Sequence, residues 1–317
     1  MRVVYFGTSP FAVPPLEALI ASPSHTVVAV VTQPDRPAGR GLRDQPSPVK
    51  RCALEHSLDV LQPERVRRKP FPDQLRALRP DVLAVVSFGQ IIPETVLEIA
   101  PHGGVNVHAS LLPRWRGAAP IHRALLAGDQ ETGVATMRME PTLDTGPVYL
   151  ERKIPIGPTD TTTTLETALA ALGATLLVET LDRLQAGPFE PTPQSVDGAT
   201  YAHRIERADA LLDPSVETAE ELERRVRALS PRPGTVLELG GREVKVLEAA
   251  VEAGDGPPGT VVSAGKDGVR VATVSGLLRL IRVQPAGKPP MEAAAYANGA
   301  RLAPGSPARR PTSAEMT

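Results

Sequence analysis

The sequence predicts an α/β protein with a mostly parallel sheet, followed by a small β-barrel. Short apolar runs such as "RVVYFG", "TVVAVV" and "DVLAVV" alternate with helical stretches through the first half of the chain. This alternation is typical of right-handed strand–helix–strand crossovers in a parallel sheet. From about Pro188 the pattern changes to short alternating segments separated by glycine turns, which indicates a small barrel of the OB type.

The elements of the first half follow from local signals. "RVVYFG" predicts a buried strand, and a turn and a helix rich in Leu and Ala come after it. Ser47 and Pro48 predict the N-cap and the first turn of a helix over "VKRCALE". The remaining predicted strands are "TVVAVVTQ", "DVLQP", "DVLAVVSFG" and "GGVNVHAS", and the remaining predicted helices are "PFPDQLRALRP", "PETVLEIAP" and "APIHRALLAG".

The regular alternation of apolar strands and helices ends after "APIHRALLAG". "TGVATMRME" and "GPVYLERKIPI" predict an antiparallel edge, and a long helix then ends before Gly187. "PFEPTPQSVDGAT" has the composition of a linker, and "LGGREV" and "GKDGV" are hairpin turn signals. We therefore expect a catalytic domain at 1–187, a linker at 188–205, an OB-like domain at 206–303 and a disordered tail at 304–317.

Composition narrows the class of protein. The chain has 317 residues, 41% of them hydrophobic, and a formal net charge of −1, so any nucleic-acid site must be a local patch. With Cys52 as its single cysteine, it can form neither an internal disulfide nor a cysteine zinc site, and we expect no metal. No apolar run approaches the ~20 residues of a membrane span. We expect a cytoplasmic protein with no membrane contact.

The segment "GVNVHASLLP" carries the candidate chemistry. It ends a predicted parallel strand, and ligands of open α/β sheets bind at such carboxyl ends. Because strand side chains alternate, Asn106 and His108 share one face. An amide N–H beside a proton carrier suits acyl transfer, and Asp144 in "LDTGP" supplies a carboxylate. Each residue taken singly is more often structural. Together they indicate a transferase or hydrolase without naming a substrate.

A family resemblance rests on these same residues. The segment "NVHASLLPRWRGAAPIHRALLAGDQETGVATMRMEPTLDTGPV" resembles the folate-dependent formyltransferases. Their signature runs Asn-x-His-x-Ser-Leu-Leu-Pro, then Arg-Gly, with an Asp some 36 positions after the His, as Asp144 is here. "QPDRPAGRG", "PSPVK", "YAHRIERADA" and "VQPAGK" resemble the branch of the family that acts on a transfer RNA. The resemblance runs from the first strand to about residue 303.

The resemblance implies a Rossmann-like amino domain, a linker and an OB-like carboxyl domain. The implied reaction moves a formyl group from 10-formyl-tetrahydrofolate to the amino group of methionyl initiator tRNA. The folate is a co-substrate, no permanently bound cofactor is implied, and we expect a monomer. Asn106, His108 and Asp144 fall on the family's catalytic positions. The segment at the folate is Ser110, Leu111, Leu112 and Pro113, and the tRNA-contacting candidates in the loop 33–50 are Arg36, Arg40, Arg43 and Lys50.

Several positions depart from the family pattern. Arg204 and Arg207 stand where lysines are expected, Pro214 where a tryptophan is common, and Pro289 where a second lysine is frequent. These departures concern RNA contacts of the carboxyl domain and leave the catalytic prediction intact. A second basic cluster, "ERVRRKP", fits either an RNA contact or an ordinary solvated surface.

Other functions stay open at this point. A formyltransferase for a sugar amine or for glycinamide ribotide would share the catalytic residues, as would a formyl-folate hydrolase. "FGTSPFAVPP" lacks the Gly-Ser-rich phosphate loop expected of the ribotide enzyme. A dinucleotide dehydrogenase is disfavoured because Gly7 is not part of a G-x-G-x-x-G motif. An RNA-binding module without catalysis is the non-enzymatic alternative.

Overall fold

The computed structural model describes residues 1–38 and 43–311, which separate into two compact units. Unit 1 comprises Met1–Pro120, Glu131–Pro155 and Leu165–Ala202. Unit 2 comprises Ile121–Gln130, Ile156–Thr164 and the chain from His203 onward. Unit 1 therefore continues through most of the segment 188–205, which the composition suggested was a linker.

The elements up to residue 202 are the following. The strands are β1 (Arg2–Gly7), β2 (Thr26–Val31), β3 (Arg36–Ala38), β4 (Arg43–Gln45), β5 (Val60–Leu61), β6 (Val82–Val86), β7 (Gly104–His108), β8 (Arg116–Gly117), β9 (Glu131–Arg138), β10 (Val148–Pro155) and β11 (Tyr201–Ala202). The helices are α1 (Val13–Ala21), α2 (Pro48–Glu55), α3 (Phe71–Leu78), α4 (Glu94–Leu97), α5 (Pro120–Ala127) and α6 (Thr162–Ala186).

The main sheet of unit 1 has the order β10-β9-β7-β6-β1-β2-β5. Its strands from β7 to β5 pair in parallel, whereas β9 pairs antiparallel with both β7 and β10. All five residues of β6 are buried, as expected for a parallel strand covered on both faces. The mostly parallel sheet with an antiparallel edge is thus confirmed.

Local helix signals are also confirmed. Helix α2 begins at Pro48, and the Ser47 hydroxyl accepts a hydrogen bond from the Lys50 backbone N–H at 3.0 Å. This bond satisfies one of the amide groups that the first turn of a helix leaves unpaired. Helix α6 ends at Ala186, immediately before Gly187.

Helix α6 is the one helix of the described residues whose length and hydropathy would allow it to cross a membrane. The sequence had shown no apolar run of that length. Half of its most apolar window is buried, and five of its leucines are at most 2% exposed. Packing in the interior therefore accounts for its apolar character. Those leucines are Leu165, Leu169, Leu176, Leu177 and Leu181.

Unit 2 is built on a curled antiparallel sheet. Its strands are β12 (Thr235–Leu239), β13 (Arg242–Glu252), β14 (Val261–Gly265), β15 (Gly268–Ala272), β16 (Leu277–Pro285), β17 (Met291–Glu292) and β18 (Ala308–Arg309), and its further helices are α7 (Ala219–Leu229) and α8 (Ala293–Ala300). The order is β14-β15-β16-β13-β12-β18, with β17 beside β16. A bridge between Thr260 and Pro307 brings the two ends of this path together, so the sheet curls as a small barrel does.

The carboxyl-terminal segment contributes to this sheet. Residues 304–311 are ordered, in contrast to the predicted disorder, and 312–317 lie outside the described residues. The Gly240 N–H donates to the Pro307 carbonyl and the Ala308 N–H to the Gly259 carbonyl, both at 2.8 Å. Composition does not report such pairing because the bonds are made by backbone groups, which every sequence carries.

Candidate active site

Strand β7 places the first two candidate residues. It lies between β6 and β9, where Asn106 is opposite Val85 on one side and Met137 on the other. Val105 and Val107, on the opposite face, are 0% and 4% exposed. The alternation predicted for this strand is therefore present, and Asn106 and His108 share a face at its carboxyl end.

The two ring nitrogens of His108 face different partners. Its Nε2 lies 2.9 Å from the Trp115 carbonyl oxygen. Because a carbonyl only accepts hydrogen bonds, Nε2 must be the donor, and we assign the ring proton to it on that basis. Nδ1 lies 3.7 Å from Oδ2 of Asp144, and the side chains of His108 and Asp144 are only 7% and 11% exposed.

The Asp144 carboxylate is oriented by a backbone group. Its Oδ2 accepts a hydrogen bond from the Gly117 N–H at 2.8 Å. The backbone of Asp144 has a φ of 53°, in the left-handed region that non-glycine residues rarely adopt. Such a conformation persists where the surroundings hold it. The structure thus brings together all three predicted catalytic residues on one side of the sheet.

The arrangement can accept a proton and meet a negative oxygen. With Nε2 protonated, Nδ1 of His108 is an acceptor facing the Asp144 carboxylate, and a proton placed on Nδ1 would join the two through a charge-assisted hydrogen bond. Among the described residues the Asn106 amide has no hydrogen-bond partner, so its N–H groups are available to a ligand. These are the two functions that acyl transfer requires.

The predicted folate segment 110–113 lies directly after β7 and forms its turn. The Ser110 hydroxyl, 1% exposed, donates to the Arg114 carbonyl at 2.6 Å. Leu112 is 8% exposed in a small apolar cluster on the sheet. These two side chains are therefore committed to the turn and the core, whereas Leu111 and Pro113 are half-buried. A ligand at this segment would meet backbone groups and these two side chains.

Sequence reasoning missed the segment that holds the site loops. Residues 192–202, called the strap from here on, begin at Thr192, which exchanges two backbone hydrogen bonds of 2.8 Å with Val148. Near its end the Thr200 hydroxyl accepts from the Trp115 N–H at 2.9 Å, and β11 pairs with β8. The polar, proline-containing composition of the strap predicted a linker. Thr200 and Trp115 are 85 residues apart in the chain, so no local sequence pattern predicts their hydrogen bond.

The loop 33–50 contains the residues predicted to contact tRNA. Within it β3 and β4 pair antiparallel, and Arg36 is exposed on β3. Arg40 lies outside the described residues, and Arg43 is the first residue of β4. The Lys50 ammonium lies 2.5 Å from Asp35 and 2.8 Å from Gln62, and its hydrogen bond lowers the pKa of Asp35. Lys50 therefore secures the base of the loop.

The second basic cluster follows β5 and is tied to the same region. Arg65, Arg67, Arg68 and Lys69 are exposed around the buried Val66. The Val66 N–H donates to the Gln90 side chain at 3.1 Å, and Gln90 in turn donates to the Gln33 side chain at 3.4 Å. Three loops at the carboxyl ends of β2, β5 and β6 are thus linked by amide side chains.

A large cavity lies at the opposite end of β7. It has a volume of about 1000 Å³, and His102, Arg138, Tyr149 and Phe189 are among its lining residues. None of the three catalytic candidates lines it. Ligands of parallel sheets bind beyond the carboxyl ends of the strands, and this cavity lies at the amino end of β7, so we place the chemistry at His108 instead.

Comparison with known proteins identifies the family. The formyl transferase family model matches residues 1–181, and the model of the formyl transferase carboxyl-terminal domain matches residues 204–301. A methionyl-tRNA formyltransferase of Halorhodospira halophila is 51% identical over 96% of this chain and 98% of its own, and one of Delftia acidovorans is 46% identical over 96% of each.

A solved structure shows the same fold at low sequence identity. HypX from Aquifex aeolicus, in complex with tetrahydrofolic acid, has a TM-score of 0.62 and 17% identity. The match covers 95% of this chain and 47% of that longer chain. The fold, the two matched domain models and the identity over nearly the whole chain together show that the chain belongs to the formyl transferase family.

Proposed function

We propose that this protein transfers the formyl group of 10-formyl-tetrahydrofolate to the free amino group of methionyl initiator tRNA, giving N-formylmethionyl-tRNA for the initiation of translation. The observation that carries the proposal is the convergence of Asn106, His108 and Asp144 at the carboxyl end of β7. Relatives that are 51% and 46% identical over nearly the full length, both named methionyl-tRNA formyltransferase, select the acceptor.

The reaction begins with attack of the amine on the formyl carbon. An aminoacyl α-amino group has a pKa of about 7.7 in model compounds, so a useful neutral fraction exists at pH 7. Negative charge develops on the formyl oxygen as the tetrahedral intermediate forms. The Asn106 amide donates a hydrogen bond to that oxygen, which is the type of stabilisation that an oxyanion hole provides.

A proton must then move from the attacking amine to the folate nitrogen that leaves. His108 is the group placed to carry it, because Nδ1 faces the Asp144 carboxylate and gains a charge-assisted hydrogen bond on protonation. Asp144 cannot turn away, because its Oδ2 is bound to the Gly117 N–H. The formyl group leaves with the product at each turnover, so the folate is a co-substrate rather than a bound cofactor.

Folate is held beside this site by the segment 110–113. Since Ser110 and Leu112 are committed to the turn and the core, backbone groups of the segment and the half-buried Leu111 and Pro113 make the contacts. The segment follows the strand that carries Asn106 and His108 directly, and this places the formyl donor within reach of both residues.

The tRNA is held by the loop 33–50, through Arg36, Arg40 and Arg43, while Lys50 fixes the base of the loop. The exposed cluster 65–69 lies at the carboxyl ends of the same strands and extends this basic surface. Basic groups of this kind bind the phosphates of RNA and give salt-dependent affinity. We further propose a monomeric protein located in the cytoplasm, where charged tRNA and formyl-folate occur.

The decisive experiment is a formylation assay with the full chain, 10-formyl-tetrahydrofolate and methionyl initiator tRNA. We expect formyl-methionine after mild hydrolysis of the product tRNA. Parallel reactions replace the tRNA with an amino sugar nucleotide, with glycinamide ribotide or with water alone. Faster formyl transfer to either small amine, or release of formate without an acceptor, would assign the protein to another formyltransferase type or to a formyl-folate hydrolase.

The loop assignment is tested by Arg40→Leu. We expect a lower kcat/KM for methionyl-tRNA with unchanged folate affinity and thermal stability, because the change removes one positive charge at a position separate from the proposed catalytic and folate residues. Each phosphate contact steepens the dependence of log K on log salt by about 0.7 to 0.9, so the variant should show a shallower slope. Identical tRNA kinetics and salt slopes in the variant and the parent would remove Arg40 from tRNA binding.

A further inference from the structure

The Gln194 side chain is held in a single orientation by the residues around it. Its Oε1 accepts two hydrogen bonds from the Arg116 guanidinium, at 3.0 Å from Nε and 2.7 Å from Nη2. Its Nε2 donates to the backbone carbonyls of Asp144, at 2.9 Å, and Gly146, at 2.7 Å. Since a guanidinium only donates and a carbonyl only accepts, turning the amide over would place donor against donor and acceptor against acceptor.

These bonds span two parts of the site. Arg116 and Gly117 form β8, and Gly117 donates its N–H to the Asp144 carboxylate. Asp144 and Gly146 belong to the loop between β9 and β10, and Gln194 belongs to the strap. The Gln194 side chain therefore links the backbone of the Asp144 loop to β8, the strand whose N–H orients the Asp144 carboxylate.

The Asp144 loop needs such support. Asp144 has a φ of 53°, which is rare for a residue with a Cβ, and the position of a Cβ on Gly146 would lie 1.8 Å from the Arg138 carbonyl oxygen. The loop is therefore tightly turned and crowded, and Gln194 supplies a hydrogen-bond donor to two of its carbonyls.

We propose that Gln194 is a positioning residue for formyl transfer, which acts through Asp144 by holding the backbone of its loop, while Arg116 fixes the orientation of the amide. This inference rests on the proposed function for its kinetic consequence. Its structural part, the fixed geometry of the loops around His108, stands on the contacts alone. Gln194 touches neither His108 nor Asn106 among its described contacts, so its effect on the reaction is indirect.

The kinetic test uses Gln194→Ala and Gln194→Met, of which the second keeps most of the side-chain volume but no hydrogen bond. We expect kcat to fall about tenfold to a hundredfold in both, since a small misplacement of a catalytic group has effects of this size. The KM values for folate and tRNA should change less than threefold. Gln130→Ala is the matched control, because the exposed Gln130 donates a similar amide bond to the Gly128 carbonyl in unit 2.

A double-mutant cycle separates positioning from a purely structural role. If Gln194 acts through Asp144, Gln194→Ala should lower kcat less than twofold in an Asp144→Asn background. Gln194→Glu keeps the contact with Arg116 but faces two carbonyls with a carboxylate, and it should be no better than Gln194→Ala. Unchanged kcat in Gln194→Ala and Gln194→Met, or an equal further loss in the Asp144→Asn background, would overturn the proposal.

One readout does not depend on activity. Trp115 is the single tryptophan of the chain and immediately precedes Arg116. We expect Gln194→Ala to increase quenching of its fluorescence by acrylamide while Gln130→Ala leaves it unchanged. If the parent protein formylated no methionyl-tRNA, the proposed function would fail and the fluorescence would still report on Gln194. Unaltered quenching in Gln194→Ala would contradict the proposed fixing of these loops.

Discussion

Strand β7 and the strap both support the candidate catalytic residues, but by different physical means. Strand β7 is buried between two neighbouring strands and is held by a continuous ladder of backbone hydrogen bonds and by apolar packing. The strap, residues 192–202, has almost no regular structure and holds the site through a few individual bonds from Thr192, Gln194, Thr200 and β11.

This difference predicts different responses to substitution. Where many contacts in a sheet hold a residue, one substitution nearby lowers the stability of the protein but leaves the geometry of the site, and so kcat, unchanged. Where single hydrogen bonds hold it, the loss of one bond displaces the residue and lowers kcat. Four predictions test the comparison, in order of their expected effect on kcat.

The largest effect should come from the catalytic residues themselves. His108→Ala and Asp144→Asn should each lower kcat by about 10²–10⁴, the usual range for a lost acid–base group or its partner. Asn106→Ala should lower kcat by about 10²–10³, as expected for an oxyanion donor. Melting temperatures should be close to that of the parent. Near-normal kcat in all three variants would show that the catalytic assignment is wrong.

The second effect concerns the junction of the strap with β8. Gly117 has a φ of +120°, and a Cβ there would lie 2.7 Å from the Ala202 carbonyl oxygen. Gly117→Ala should therefore displace both β11 and the N–H that orients Asp144, and kcat should fall by about 10- to 100-fold.

Gly299→Ala is its matched control. Gly299 lies in α8 with nothing within 4 Å of an added Cβ, so this variant should keep the parent kcat. Steady-state kinetics with both substrates at saturation measure the difference. If Gly117→Ala and Gly299→Ala were equally active, the pairing of β8 with β11 would have no part in positioning Asp144.

The third effect concerns one hydrogen bond of the strap. Thr200→Val removes the hydroxyl that accepts from the Trp115 N–H and keeps the shape of the side chain. A lost hydrogen bond costs about 0.5–1.5 kcal/mol, and Trp115 also carries the carbonyl that holds His108, so we expect kcat to be about three- to tenfold lower.

The control for this change is Thr175→Val. Thr175 is exposed on α6, where its hydroxyl donates only to the Ala171 carbonyl of the same helix. A kcat equal to the parent's in both variants, at a lower melting temperature for Thr200→Val alone, would make Thr200 a stability residue rather than part of the support for His108.

The smallest effect on kcat should come from the sheet. Leu83 lies on β6 beside β7 and is 0% exposed, so Leu83→Ala should lower the free energy of unfolding by about 2–5 kcal/mol. The kcat of the folded protein should be unchanged. Leu54→Ala, at a position 57% exposed, should change stability by less than about 0.5 kcal/mol. Denaturant unfolding measures the free energy of unfolding, and steady-state kinetics at saturating substrate measure kcat. A large loss of kcat in Leu83→Ala would contradict the proposed difference between the two supports.

The sequence determined the regular part of the protein and predicted the candidate reacting groups. Apolar runs predicted the strands because a parallel strand buried on both faces must be apolar throughout. Ser47 and Pro48 predicted the start of α2, and the alternation at Asn106 and His108 placed both on one face of β7. These signals are local, since each depends on neighbours within one helical turn or a few strand residues.

Only the tertiary structure decided how those groups are held. A segment with a linker's composition packs against the catalytic loops, Lys50 pairs with Asp35 at the base of its loop, and the segment 304–311 pairs with the curled sheet. In each case the partner is distant in sequence or is a backbone group with no sequence signature. A polar segment shows no periodic pattern of apolar residues from which its partners could be predicted. Its hydrogen-bond partners are determined only when folding brings the two segments together.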